Sequence, residues 1–306
     1  MSEPGDSSYS PIAPGATIPS DGGMRGRVCI ITGANRGIGR ATALGLARLG
    51  ATVVIVGRDA EQCIRARDEI RSASANASVS YLTMDLGSLA SVRSGAAELA
   101  RRFPAIHVLV NNAGVVVARR AVSPEGFEMT LAVNHLGPFL LTNLLLPLLQ
   151  AGAPSRVITV TSMFHRLGRI AFDELGAGGR YRPLRAYNQS KLANVLFTRS
   201  FARRLAGSGV SATCVDPGLV RTDLLRDSAW WNPRWLQVIW RRFLLRPDTA
   251  ARRVIHAATS AEVAEVSGVC FGKSGRIVRT SARSRDEAVG ERLWRESARL
   301  VGLSGK

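Results

Sequence analysis

The run Arg27-Val28-Cys29-Ile30-Ile31-Thr32-Gly33-Ala34-Asn35-Arg36-Gly37-Ile38-Gly39 decides the architecture of this 306-residue chain. Arg27 to Ile31 reads as a short buried strand, Thr32 to Gly39 as a glycine turn, and the alanine- and leucine-rich stretch reaching Leu49 as a helix. Ala51 to Val56 then supplies a second parallel strand and completes a βαβ unit. Glycines allow a tight turn and close backbone approach, while the helix N-terminus offers unpaired N–H groups and a positive dipole end, a combination suited to a pyrophosphate. The spacing is G-x-x-x-G-x-G, not G-x-G-x-x-G, so the string alone does not separate a dinucleotide cradle from a plain βα turn. The flanking strands favour the cradle.

The end of the second strand bears on which dinucleotide fits. An acidic residue there would accept hydrogen bonds from a ribose 2′-OH. Here the strand ends Val56-Gly57-Arg58, and Asp59, one step on, reads better as the cap of the next helix. Arg58, with Arg36 inside the glycine turn, offers fork-shaped donors that suit a 2′-phosphate. NADP(H) is expected ahead of NAD(H); the plain alternative for Arg58 is a solvated surface arginine.

Far downstream, Ala186-Tyr187-Asn188-Gln189-Ser190-Lys191 places a phenol and an ammonium one helical turn apart on one face. Free tyrosine titrates near pH ~10, and a nearby cation favours the phenolate, so the spacing predicts a lowered tyrosine pKa and an acid/base device. A Tyr-x-x-x-Lys pair also arises as an ordinary solvated face, and only its company gives it weight.

Taken together these motifs resemble the short-chain dehydrogenase/reductases, from about Arg27 to beyond Thr222. The family's order is followed by the glycine turn with Gly33, Asn35, Arg36, Gly37, Ile38 and Gly39, then Asp85-Leu86, then Asn111-Asn112-Ala113-Gly114. Asn134 in Val-Asn-His-Leu-Gly comes next, then Ser162, the Tyr187/Lys191 pair, and Asp216-Pro217-Gly218 with Thr222. Ser-Lys-Leu-Ala-Asn-Val-Leu-Phe after the tyrosine looks most like the retinol dehydrogenase branch. The resemblance implies that Tyr187 is the general acid, Ser162 holds the substrate oxygen, Lys191 lowers the tyrosine pKa and anchors the nicotinamide ribose, and Asn134 completes a proton relay. It further implies that Asp85 and Leu86 lie at the adenine ring, that Asn112, Ala113 and Gly114 close over the adenine side, and that Pro217, Gly218 and Thr222 also serve the cofactor. Each has a bland counterpart: a helix cap for Asp85, a polar turn for Asn111 to Gly114, an amide brace for Asn134, and an unremarkable strand-end serine for Ser162.

Length and motif order fit one catalytic domain over 27–306, an α/β fold with a Rossmann-type doubly wound parallel sheet and helices on both faces. Apolar strands at Ala105 to Val110 and Arg156 to Thr161 alternate with helix-like stretches. Residues 1–26, rich in Ser, Pro and Gly, read as a disordered tail without the features of a secretory signal. The four cysteines, at 29, 63, 214 and 270, have no metal or redox spacing, and a reducing cytoplasm suits them. The apolar run Phe139 to Leu149, interrupted by Asn143 and Pro147, falls far short of the roughly 20 residues that span a bilayer and reads as a buried or subunit-facing helix. The resemblance makes a homodimer or homotetramer plausible.

A formal charge of +18 could signal nucleic acid. Only Lys191, Lys273 and Lys306 are lysines among the 41 basic residues, the arginines are spread along the whole chain, and no nucleic-acid-binding motif accompanies them. No nucleic-acid partner is expected; attraction to anionic lipid fits better. Residues 219–247 occupy the place of the family's substrate lid, where Trp235, Leu236, Ile239, Trp240 and Phe243 recur at helical spacing beside Arg241 and Arg242. The face either caps the core or covers a lipophilic small-molecule substrate, with peripheral membrane contact as an extension. The function expected is oxidoreduction between a carbonyl and an alcohol on a bulky apolar skeleton. The alternatives are a catalytically idle NADP-sensing protein and a short-chain reductase acting on a C=C bond.

Overall fold

The computed structural model describes residues 23–175, 181–218, 220, 245–272 and 275–303. Seven strands among them, β1 (Val28–Thr32), β2 (Thr52–Gly57), β3 (Val79–Thr83), β4 (Val108–Asn111), β5 (Ser155–Val160), β6 (Val210–Val215) and β7 (Cys270–Phe271), form one sheet. Its order is β3-β2-β1-β4-β5-β6-β7 and every pairing is parallel. The helices are α1 (Gly37–Arg48), α2 (Ala60–Ser74), α3 (Leu89–Arg102), a short α4 (Met129–Leu131), α5 (Gly137–Leu144), α6 (Leu146–Ala151), α7 (Pro183–Arg204), α8 (Pro247–Thr259) and α9 (Glu287–Leu300). A π turn, Ala132–Leu136, joins α4 to α5.

Alternation along the strands explains why helices cover both faces. Ile30, Val54 and Val56 pack with Val92 and Leu99 of α3, Phe139 and Leu140 of α5, Leu192 and Leu196 of α7 and Leu293 of α9. Their neighbours Cys29, Ile31, Val53 and Ile55 point the other way, against Leu46 of α1, Ile70 of α2 and Val254 of α8. With apolar side chains buried on both sides, the central strands read as unbroken hydrophobic runs, and burying each such side chain stabilises the fold by about 1.5–3 kcal/mol.

Strand limits shift slightly from the sequence expectation. Thr32 belongs to β1 because it stays in register with Val56. Ala105 to His107 are a lead-in to β4: the Ile106 N–H donates to the Leu148 carbonyl at 2.9 Å, and His107 Nδ1 accepts the Val28 N–H at 3.0 Å. Packing also begins ahead of Arg27, since Met24 is buried against the α1 side and its N–H donates to the Leu49 carbonyl at 3.0 Å. Phe139 to Leu149 forms α5 and most of α6, with Phe139, Leu141 and Leu149 fully inside, and no helix among the described residues is long and apolar enough to cross a membrane. The tryptophan-rich part of the expected lid lies outside the described residues.

Candidate active site

The parallel sheet changes winding direction between β1 and β4, and the crevice outside the carboxyl ends of strands at such a point is where ligands bind in open α/β folds. Thr32, at the end of β1, organises it. Its Oγ1 donates to the Val110 carbonyl at 3.3 Å and accepts the N–H groups of Asn112 at 3.0 Å and Ala113 at 3.1 Å. The Asn112 side chain returns the tie by donating to the carbonyls of Thr32 at 2.8 Å and Gly33 at 3.2 Å. Asn111, buried beneath, donates to Thr142 Oγ1 of α5 at 2.9 Å. The loop Asn112 to Gly114 is thus clamped to the glycine turn.

Gly33 and Gly37 have φ of +65° and +57°, conformations that side chains disfavour. No side chain caps the N-terminus of α1, and its first turn contains no acid, leaving main-chain N–H groups and the positive dipole end to face an external anion. Ile38 packs against the core below the turn. Asn35 donates to Gln62 Oε1 at 2.8 Å, and Gln62 donates to Asp59, which caps α2 through the Gln62 N–H at 3.0 Å. Asp59 is therefore occupied as a helix cap, as expected from its position, while Arg36, within the turn, and Arg58, directly after β2, are exposed. These features fit a dinucleotide phosphate.

Asp85, beyond β3, is exposed; its Oδ1 accepts the Gly87 N–H at 2.8 Å, and its own N–H donates to Ser91 Oγ at 2.9 Å. Leu86 is buried, its carbonyl only 2.2 Å from where a Cβ on Gly137 would lie. At the far side of the crevice, Asp216 Oδ1 accepts the Gly218 N–H at 2.9 Å, and the buried Arg253 of α8 donates to the Pro217 carbonyl at 2.5 Å. Thr222 lies outside the described residues.

Asn134, Ser162, Tyr187 and Lys191 come together between β4, β5 and α7, none more than 7% exposed, so water contributes little to their energetics. Asn134 sits in the π turn; its Oδ1 accepts the Val115 N–H at 2.7 Å, and its Nδ2 donates to the Val115 carbonyl at 3.0 Å and to Ser190 Oγ at 2.9 Å. Ser190 in turn donates to the Tyr187 carbonyl at 2.8 Å, coupling Asn134 to the tyrosine's own turn of helix. Ser162 follows β5, its hydroxyl beside the Tyr187 phenol and weakly accepting the Phe164 N–H at 3.5 Å. Lys191 Nζ donates to the Val160 carbonyl at 3.1 Å and would lie 3.3 Å from a Cβ placed on Gly114, so a side chain there would crowd the ammonium.

One expectation is reversed. Burial pushes the Tyr187 phenol up to about 12; the hydrogen bond with Ser162 opposes this and the charge of Asp216 adds to it. The charge of Lys191 does not outweigh that burial, because its ammonium is held on the Val160 carbonyl, 5.7 Å from the tyrosine ring centre. Burial also draws Lys191 down to about 8, with Asp216 working against the shift. At neutral pH the phenol keeps its proton and the lysine its charge.

The structure adds residues that motif reading passed over. Thr32 carries no signal beyond preceding Gly33. Phe164 sets its ring edge-on to Tyr187, 6.1 Å between centres at 67°. His165, three positions after Ser162, is buried with Nδ1 2.7 Å from the Ser162 carbonyl. Among the described residues no group of three or more His, Cys, Asp or Glu is placed to hold a metal.

A doubly wound parallel sheet with a glycine turn at its switch point and a buried Ser/Tyr/Lys/Asn set is the arrangement of a dinucleotide-dependent oxidoreductase. The short chain dehydrogenase profile matches residues 27–232, and the chain belongs to that family, in the retinol dehydrogenase branch. Human retinol dehydrogenase 13 is 43% identical over 295 residues, covering 94% of this chain and 88% of its own, and human retinol dehydrogenase 14 is 41% identical, covering 92% and 88%. Among solved structures, an uncharacterized protein from Mycobacterium paratuberculosis superposes with a TM-score of 0.74 at 36% identity, covering 93% of this chain and 95% of that one. Pseudomonas aeruginosa RhlG, solved as an NADP active-site complex, gives 0.68 at 28% identity with 84% and 98% covered. The protein is an oxidoreductase.

Proposed function

We propose that the protein interconverts a carbonyl and an alcohol on a bulky apolar substrate, retinoid-like in class, using NADP(H). The observation that carries the reading is the burial of Asn134, Ser162, Tyr187 and Lys191 together beside the crevice. A bound nicotinamide supplies or accepts the hydride. Tyr187, protonated at neutral pH, donates its proton to the substrate oxygen in the reductive direction. Ser162 hydrogen-bonds the same oxygen as negative charge develops. Lys191 holds its ammonium over the Tyr187 ring, 5.7 Å from its centre, so its charge favours the phenolate left by proton donation over the resting phenol. Asn134 joins the π turn to α7 and serves the return of the proton.

Asp85, Leu86, Asn112, Ala113, Gly114, Pro217, Gly218 and Thr222 are assigned to the cofactor on the same reading. Residues 27–306 act as one catalytic domain. The four cysteines are free and buried, which suits a reducing cytoplasm. Homo-oligomerisation and peripheral contact with anionic lipid accompany the proposal.

The test is titration of the purified protein with NADPH and NADH, followed by turnover with apolar aldehydes and ketones including retinal. Binding of NADPH with oxidation by one of them supports the reading, binding without turnover favours a sensing protein, and binding of neither cofactor removes it. Arg58→Ala is expected to weaken NADPH binding by about 10- to 100-fold, the worth of charge-assisted hydrogen bonds to a phosphate, and to leave NADH binding unchanged. Equal losses for both would remove Arg58 from cofactor selection. Reductive kcat should hold steady near neutrality and fall as pH rises through about 8, because Lys191 then loses the charge that stabilises the phenolate. A profile flat to pH ~10, the ordinary range of a lysine, would show that its charge is not used.

A further inference from the structure

The turn that follows Ser162 is pressed unusually close to the catalytic helix. Residues Met163–Leu167 form a 3-10 turn, and Gly168 ends it where an added Cβ would lie 2.5 Å from the Asn188 carbonyl oxygen and 2.7 Å from Leu192 Cβ. Asn188 and Leu192 each follow one of the pair Tyr187 and Lys191 on α7. The turn therefore has no freedom to move without carrying the acid/base pair with it or separating from it.

Inside the turn lies His165, 1% exposed. Its main-chain N–H donates to the Ser162 carbonyl at 3.0 Å, and its Nδ1 stands 2.7 Å from that same oxygen. A carbonyl only accepts, so Nδ1 carries the proton. Burial draws the imidazole pKa down, and the ring is neutral at pH 7 with its lone pair on Nε2. Among the described residues Nε2 has no hydrogen-bond partner, and there the buried ring carries an unsatisfied polar atom that an apolar side chain of similar size would avoid. What distinguishes the histidine from such a residue is the bond from Nδ1.

We propose that His165 is a positioning residue: by holding the Ser162 carbonyl through Nδ1–H, it fixes the direction in which the Ser162 hydroxyl faces Tyr187 and the substrate oxygen. The inference rests on the reading of Ser162 and Tyr187 as the oxygen-binding and proton-donating groups. Ser162 is the first residue beyond Thr161 after β5, and its φ and ψ of −161° and 154° are extended, so the strand alone leaves its side chain free to rotate with the turn. Two donors on one carbonyl remove that freedom. Phe164, between them, is held edge-on to Tyr187 by the same constraint.

Two polar replacements separate the two ring nitrogens. In His165→Asn the amide nitrogen reaches the place of Nδ1, whereas in His165→Gln it reaches the place of Nε2. Turnover, cofactor affinity and thermal stability would be measured for both, for His165→Leu, and for Ser162→Ala alongside the wild type. His165→Asn is expected to rescue kcat to within a few-fold, while His165→Gln and His165→Leu lose about 100-fold in kcat, the scale of a misplacement of about 1 Å, with NADPH affinity unchanged. Equal activity of the Asn and Gln variants, or Gln above Asn, overturns the inference, and the comparison stands even if the Leu variant does not fold. Full activity in Ser162→Ala would instead overturn the catalytic reading itself, which keeps the two failures apart.

Discussion

Tyr187→Phe is expected to lower kcat about a thousandfold, within the range by which a positioned general acid accelerates a reaction, and to leave NADPH affinity nearly unchanged. The substitution removes one oxygen from a buried ring. Its contact with Phe164 and the cation position of Lys191 above the ring plane survive, so the protein should fold and melt as before. The cofactor's phosphate cradle at the start of α1 is built from other elements and does not feel the change. Because burial holds the phenol near 12, the resting group is protonated throughout the neutral range, and its value to the reaction lies in donating that proton to a carbonyl oxygen held by Ser162. Stopped-flow reduction and fluorescence titration separate the two quantities. Substantial retained turnover would show that the proton comes from elsewhere and would end the assignment of Tyr187 as the acid.

That pKa marks where sequence reasoning stops. Four-residue spacing brings Tyr187 and Lys191 to one face of a helix, and the structure keeps them there, but spacing carries no information on desolvation or on where an ammonium finds its acceptor. The Val160 carbonyl that captures Lys191 belongs to a strand 31 positions earlier in the chain. His165 was hidden for a similar reason: its partner is the main chain of Ser162, and no residue-type pattern records a side chain folding back on a carbonyl. The π turn beneath Asn134 is likewise a property of backbone spacing in α4 to α5, not of any residue in Val-Asn-His-Leu-Gly.

The sheet was legible because it depends on quantities the sequence does carry. Central strands buried on both faces demand unbroken apolar runs, and those at Val28 to Thr32 and Thr52 to Gly57 are such runs. The same logic loosens at edges. Residues 105–107 are apolar enough to pass for strand, yet the Ile106 N–H is bound by the Leu148 carbonyl, a competition visible only once α6 packs there. At the opposite end of the chain Leu293 and Trp294 turn inward from a charged helix, with Arg204 lying over the tryptophan ring 4.1 Å from its centre.

Gly39→Ala should separate cofactor binding from folding by the largest margin. A Cβ at this position would lie 2.4 Å from the Gly33 carbonyl oxygen, 2.5 Å from Asn112 Nδ2 and 2.9 Å from Ala34 Cα. Two of these are main-chain atoms of the glycine turn, and the third belongs to the side chain that clamps Thr32 and Gly33, so none is a flexible end that could swing aside. Relief requires the turn to lift from the start of α1. Overpacking of this kind costs about 1–3 kcal/mol, which in a domain of this size lowers Tm by only a few degrees. The N–H groups at the helix start, however, must converge on a phosphate to within a few tenths of an ångström, and displacing them is expected to reduce NADPH and NADH affinity alike by about 100-fold or more. Loss of both cofactors together, against the selective loss expected for Arg58→Ala, would place the pyrophosphate at the glycine turn and the 2′-phosphate at the arginine. An unchanged affinity with the same small drop in Tm would mean that the turn at Gly33 to Gly39 serves packing between β1 and α1 and that the dinucleotide binds elsewhere.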